Sequence, residues 1–251
     1  MHLSHEPNEF GDAIGLVVSD FTKPDVPSES TVLEGRYCFL EALDADKHAS
    51  DLWDAYSLDV DGRLWTYMPQ GPFTDAAHYR SWVEGAHHKA DPFFYAIIDR
   101  ESNKAVGVAS FLRIDPTAGS IEVGWITFSP LIQQRPIATE AMYLMMKHAF
   151  DMGYRRYEWK CNSLNQPSIN AAMRLGMTFE GLFRQATTVK GRNRDTAWFA
   201  ILDRDWPVAQ SAFEQWLEPS NFDASGQQNL SLSTLTASIV TDRWPTLTVG
   251  K

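Results

Sequence analysis

Ser129 to Met142 reads SPLIQQRPIATEAM, a polar loop that runs into an amphipathic stretch. The first turn of a helix has N–H groups without intrahelical partners and a partial positive charge, so such a junction can hold an anion, a phosphate group in particular. Pro136 donates nothing. Its fixed φ nevertheless suits the first helical position, where a missing N–H breaks no bond. The amides of Arg135, Ile137, Ala138 and Thr139 remain, and the Arg135 guanidinium and Thr139 hydroxyl can add charge-assisted contacts. Taken alone, the stretch fits a loop that is merely capped equally well. No GxxxxGK[ST] occurs, which excludes a P-loop.

Other residues bound the chemistry further. Asn162, Asn165 and Ser168 fall between a strand and a helix, where such side chains cap helices. Cys161 ends a strand and offers either a nucleophilic thiol or a buried filler. Arg184, Lys190, Arg192 and Arg194 form a basic cluster that either holds an anion or is a solvated face. A net charge of -10 over 251 residues argues against sequence-independent nucleic-acid binding. Two cysteines make no disulfide framework, and the adjacent His87 and His88 match no zinc spacing, so no metal is expected. The apolar run Ala13 to Val18 is too short to span a bilayer, and the N-terminus lacks the pattern of a signal peptide. A cytoplasmic protein without membrane contact is expected.

The elements that must position these residues follow from periodicity. RYCFL (36–40) reads as a strand, residues 45–57 as a helix with apolar residues at 3-4 spacing, and 74–89 as a second helix capped by Thr74 or Asp75. LWTYMPQGPF (64–73) is an aromatic loop between them. FFYAIID, KAVGVASFLRI and SIEVGWITF are three β-type runs separated by turn residues, a meander. After the anion loop come a helix ended by Gly153, a strand over 156–161 and a helix over 167–175. A hairpin folded around Gly191, Arg192 and Asn193 follows, then a short helix after Trp206-Pro207. The expected fold is α/β (α+β), a central mixed and mostly antiparallel sheet with flanking helices. Residues 1–30 are expected to be an extended lead-in, 31–217 the main domain, and 218–251 a tail without assigned structure.

Three stretches in this order carry a resemblance: IEVGWITFSPLIQQRPIATEAM, YEWKCNSLNQPSINAAMRLGMTFEGLFRQ and KGRNRDTAWFAI. The chain resembles the GNAT superfamily of acyl-CoA-dependent N-acyltransferases over about residues 33–206. The resemblance is closest to the Rim-type branch, which acetylates ribosomal-protein N-termini and, in relatives, small amines. It implies the GNAT fold, acetyl-CoA as cosubstrate, and a small-molecule or peptide amine as acceptor. A homodimer is an allowed state. The family's Q/R-x-x-G-x-G/A loop falls on Gln133, Gln134, Arg135, Pro136, Ile137 and Ala138, with Pro136 in place of a glycine. Thr139, from its place in the first turn, is expected to add its hydroxyl to the cofactor site, and by the same resemblance the strand edge from Ile126 to Phe128 pairs with the pantetheine arm. Asn165 bonds that arm, and the Ser168 hydroxyl protonates the departing thiolate.

An acetyl transfer to an amine needs the amine neutral, hence a base. Glu122 alternates against Ile121, Val123 and Trp125, points away from that apolar face, and is the first candidate. Rim-type enzymes carry a glutamate two residues after the Gln-Ala pattern. Here Gln185-Ala186 leads to Thr187, which keeps a non-catalytic acyl-CoA-binding sensor as the alternative reading. Trp65, Tyr67, Phe73 and Trp198 are expected to border the acceptor.

Overall fold

A computed structural model describes residues 5–245; residues 1–4 and 246–251, part of the expected lead-in and tail, lie outside it. One eight-stranded sheet organises the chain. Its strands are β3 (Leu33–Glu34), β4 (Cys38–Ala42), β5 (Phe93–Asp99), β6 (Lys104–Asp115), β7 (Ser120–Phe128), β8 (Arg156–Asn162), β9 (Thr178–Val189) and β10 (Arg192–Leu202), in the order β3-β4-β5-β6-β7-β8-β10-β9. The β7–β8 pair is parallel and every other pair is antiparallel. A separate hairpin of β1 (His5–Pro7) and β2 (Ala13–Gly15) precedes it.

The sheet is covered on both faces. On one face α1 (Ala45–Tyr56) and α2 (Ala76–Ala86) bury Leu52, Tyr56, Tyr79 and Val83 against Phe94, Ala96 and Val108. On the other, α3 (Pro136–Asp151), α4 (Gln166–Arg174) and α5 (Trp206–Leu217) bury Met145, Met146, Ile169 and Phe213 against Phe111, Ile121, Tyr157 and Phe199. Asp44 and Asp75 start α1 and α2 by accepting backbone N–H bonds through their side chains.

Three boundaries move for physical reasons. β4 begins at Cys38 instead of residue 36 because the Glu140 carboxylate of α3 takes the N–H groups of Arg36, Tyr37 and Cys38 at 2.6–2.8 Å. The same carboxylate lies against Gly35, where an added Cβ would fall 2.6 Å from Glu140 Cδ. The β9–β10 turn is made by Lys190 and Gly191, both left-handed at φ +49° and +72°, as a tight hairpin with strand-matched twist requires. Arg192 and Asn193, expected in the turn, are therefore strand residues. Residues 218–245, for which no period gave an assignment, pack onto the body. α6 (Leu232–Leu235) is short, yet Leu232, Ile239 and Trp244 are buried in the main core. Asn221 is buried and bonds to Trp216 O and Leu230 O. Single anchors spaced by polar residues leave no periodicity to read.

Candidate active site

The sheet splits where the site lies. β7 and β8 pair from Ser120↔Arg156 to Val123↔Trp159 and no further. A bulge at Trp125-Ile126 causes the split: Ser110 faces Gly124 and Val108 faces Thr127, so β7 carries one extra residue. Trp125 sits at φ +52°, uncommon for a bulky side chain and costing on the order of 1 kcal/mol. Tyr56 OH holds the strand beyond the bulge by donating to Thr127 O at 2.8 Å. Ile126 and Phe128 thus lie on a strand edge that faces a gap instead of β8.

The loop after β7 turns left-handed at Gln134, φ +61°, where a glycine would be unstrained. This residue bears the strain; Pro136 starts α3 without it. The expected donor set is corrected here. Arg135 N donates to Ile132 O and Ala138 N to Arg135 O, so these two amides are engaged. Thr139 is buried, and its hydroxyl accepts from Arg174 at 3.0 Å. Gln133, Gln134 and Ile137 keep N–H groups that donate to no acceptor among the described residues. The Gln133 side chain donates to Phe128 O at 2.9 Å and so braces the loop on the strand.

The face of the sheet opposite α3 is polar across β6, β7, β8 and β10. Glu122, the candidate base, is buried among cations. It is 3% exposed, receives both Arg113 nitrogens at 2.6 and 3.0 Å, and lies 2.9 Å from Lys160 Nζ. Lys160 is equally buried, also meets Glu158 at 2.8 Å, and caps the Trp198 ring at 3.6 Å. Arg156 joins Glu158 to Glu180. Two aspartates hold the bulges that aim this array. Asp91 takes the N–H groups of Arg113 and Ile114, and Asp195 takes Gln185 N at 2.7 Å, where Arg113 and Gln185 are left-handed at φ +46° and +50°. Asp195, which also accepts from Asn193, braces the hairpin.

A parallel pair that splits next to a phosphate-type loop has counterparts among known proteins. The acetyltransferase (GNAT) domain model matches residues 40–178, more than half of the chain. The chain belongs to the GNAT acetyltransferase family. It is 44% identical to a GCN5-related N-acetyltransferase from Brucella melitensis of known structure, with a TM-score of 0.85 over 88% of this chain and all of that one. It is 27% identical to the uncharacterized N-acetyltransferase YnaD of Bacillus subtilis (strain 168) over 61% of this chain and 89% of that protein. It is 31% identical to the ribosomal-protein-serine acetyltransferase of Escherichia coli (strain K12) over 41% and 58% respectively. The chain is thus a GNAT-family N-acetyltransferase with relatives in the Rim-type branch.

On the β8 side of the GNAT split, Asn165 caps α4 by accepting from Ser168 N at 3.2 Å. Ser168 Oγ in turn accepts the Trp159 indole N–H at 3.0 Å, and the hydroxyl also interacts with the Cys161 thiol. Cys161 is buried, and burial pushes its thiol up to about 11, so it stays a thiol at neutral pH and is no acyl carrier. The four aromatic positions separate. Trp65 is 5% exposed and packs edge-on against Tyr56 and Phe73, so it is a core residue and not a cleft wall, whereas the half-buried Phe73 packs on Tyr79 and Trp82 at the edge of that cluster. Tyr67 OH donates to Leu164 O and Lys190 Nζ to Trp65 O, so the aromatic loop is tied to the β8–α4 turn and to the hairpin tip. Trp198 stacks with Phe183 at 4.4 Å on the polar face. Glu140, Arg113, Lys160 and Asp91 were not among the residues singled out in the sequence. Of these, only Glu140 offered a signal, a lone carboxylate in an otherwise apolar helical stretch.

Proposed function

We propose that the chain transfers an acetyl group from acetyl-CoA to the primary amine of a small molecule or a peptide N-terminus, with both reactants held together and the amine attacking directly. The observation that carries this reading is the unpaired β7 edge lying against a loop with free amides. Acetyl-CoA supplies an activated thioester acyl group. The N–H groups of Gln133, Gln134 and Ile137 would hold its phosphates, with Arg135 adding charge and Ala138 leaving room for close approach. The edge from Ile126 to Phe128 would receive the pantetheine amides, and a backbone N–H there would stabilise charge on the reacting carbonyl oxygen. Asn165 would add a contact to the arm, and the Ser168 hydroxyl would give its proton to the leaving sulfur. Residues 31–217 form the transferase unit in this reading.

Glu122 has a different role from the one its sequence position suggested. A buried carboxylate held by two cations at 3 Å or less has its oxygens occupied and is not open to an incoming amine. We assign it to holding Arg113 and Lys160 in place, while the amine loses its proton through water.

Release of thiol from acetyl-CoA across a panel of amines tests the activity. Turnover of at least one amine is expected. Saturable CoA binding with no turnover of any amine would favour the acyl-CoA sensor, and absence of CoA binding would overturn both readings.

A further inference from the structure

Among the described residues, the ion pairs of the polar face leave the half-buried Arg194 without an anion. Glu122 is shared by Arg113 and Lys160, Glu158 by Lys160 and Arg156, and Glu180 is taken by Arg156. Arg194, on β10, lies within electrostatic reach of Glu122, Arg113 and Cys161. Among the described residues it makes no ion pair within 4.0 Å and no side-chain hydrogen bond, and its Nε is shielded from solvent without a partner. Four residues along the same strand, the Trp198 indole N–H is a second shielded donor without an acceptor.

An orphaned donor on a half-buried guanidinium is costly, and arginine does not escape by losing its proton. Burial lowers its proton affinity against the opposing pull of Cys161 and Glu122, but the ordinary value is so high that the charge remains. The residue's backbone is held in place as well. The hairpin bulge beside it is pinned by Asp195, whose backbone carbonyl also accepts from Ser163 N at the end of β8. The result is a guanidinium on a braced stretch of backbone, with no protein anion within ion-pair distance among the described residues, on the face where the sheet opens. A carboxylate is the group that satisfies a guanidinium fork through two parallel bonds.

Resting on the acetyltransferase reading, we propose that the acceptor is an amine that carries its own carboxylate, an amino acid in chemical class, and that Arg194 binds that carboxylate. The overall charge of -10 suggests a cationic acceptor, whereas the unpaired group at the site selects an anionic one.

The test is a panel in which each L-amino acid is paired with its carboxamide and with its decarboxylated amine. It is read by thiol release and, in parallel, by calorimetric titration of the CoA-loaded protein. The wild type is expected to prefer acids over amides by at least about tenfold in kcat/KM or in affinity. Arg194→Met should erase that preference through KM for the acceptor and leave KM for acetyl-CoA unchanged, and Arg194→Lys should restore part of it. The acid-to-amide ratio of the wild type needs no variant, so a misfolded R194M does not remove the test. Equal use or equal binding of acids and amides would overturn the assignment while leaving the acetyltransferase intact. A loss confined to acetyl-CoA in R194M would reassign Arg194 to the cofactor. Failure of every acid to bind the CoA-loaded protein would also overturn it, and absence of turnover with every amine would count separately against the activity itself.

Discussion

Thr139 and Glu122 show how far a side chain's type can be read without its neighbours. Both residue types suit the chemistry expected of them, and both are engaged by partners distant in sequence: Arg174 for the hydroxyl, Arg113 and Lys160 for the carboxylate. Thr139→Val should therefore cost about 1.5 kcal/mol in the urea midpoint and leave the acetyl-CoA KM within about twofold. A large rise in that KM with unchanged stability would place the hydroxyl at the cofactor after all. Glu122→Gln takes an anion from buried Lys160 and from the exposed Arg113 and should cost about 3 kcal/mol. If Glu122 only positions its partners, the acid limb of the kcat/KM profile survives the substitution; loss of that limb would make it the base. The helix-capping sense of Asn165 was legible because capping is local. Long-range pairings such as Glu140 with the amides of Arg36 to Cys38 leave no local mark.

At the level of elements, periodicity located the helices and strands of the body to within a few residues, because each buries one continuous apolar face. The bulges on β6, β7 and β9 escaped it. Each shifts the register by an extra residue or two, and none is marked by glycine at its left-handed position: Arg113, Trp125 and Gln185 stand there instead. The aromatic loop between α1 and α2 was placed near the acceptor by its composition, yet Trp65 faces inward and Tyr67 does the tethering. Tyr67→Phe removes one of two polar ties and keeps the ring. It should raise the acceptor KM about threefold with no change for acetyl-CoA. Equal changes for both ligands would show that the loop spans the whole cleft.

For the molecule as a whole, the polar face couples stability to pH. Burial alone would raise the proton affinity of Glu158, but hydrogen bonds from Lys160 and Arg156 outweigh it and hold the carboxyl below its ordinary 4.5. The native state thus keeps the group ionised where the unfolded chain protonates it. Its contribution is complete above about pH 4.5 and disappears as the pH falls through the lower folded value. Urea midpoints for wild type and Glu158→Gln, followed from about pH 6 to about pH 3, should converge at the acid end, and a constant gap would remove Glu158 as the cause. The overall architecture was legible because the order of elements constrains it, whereas the packing of residues 218–245 rests on scattered anchors. The left-handed Trp125 bears on how the protein would respond to selection. Glycine at 125 would relieve the backbone and, if the packing of the indole on Phe94 is not missed too much, yield a sturdier chain. It would also free β7 to close against β8. Variants chosen only for heat resistance should therefore accumulate at this position and lose turnover as they gain it, a trade-off confined to one residue.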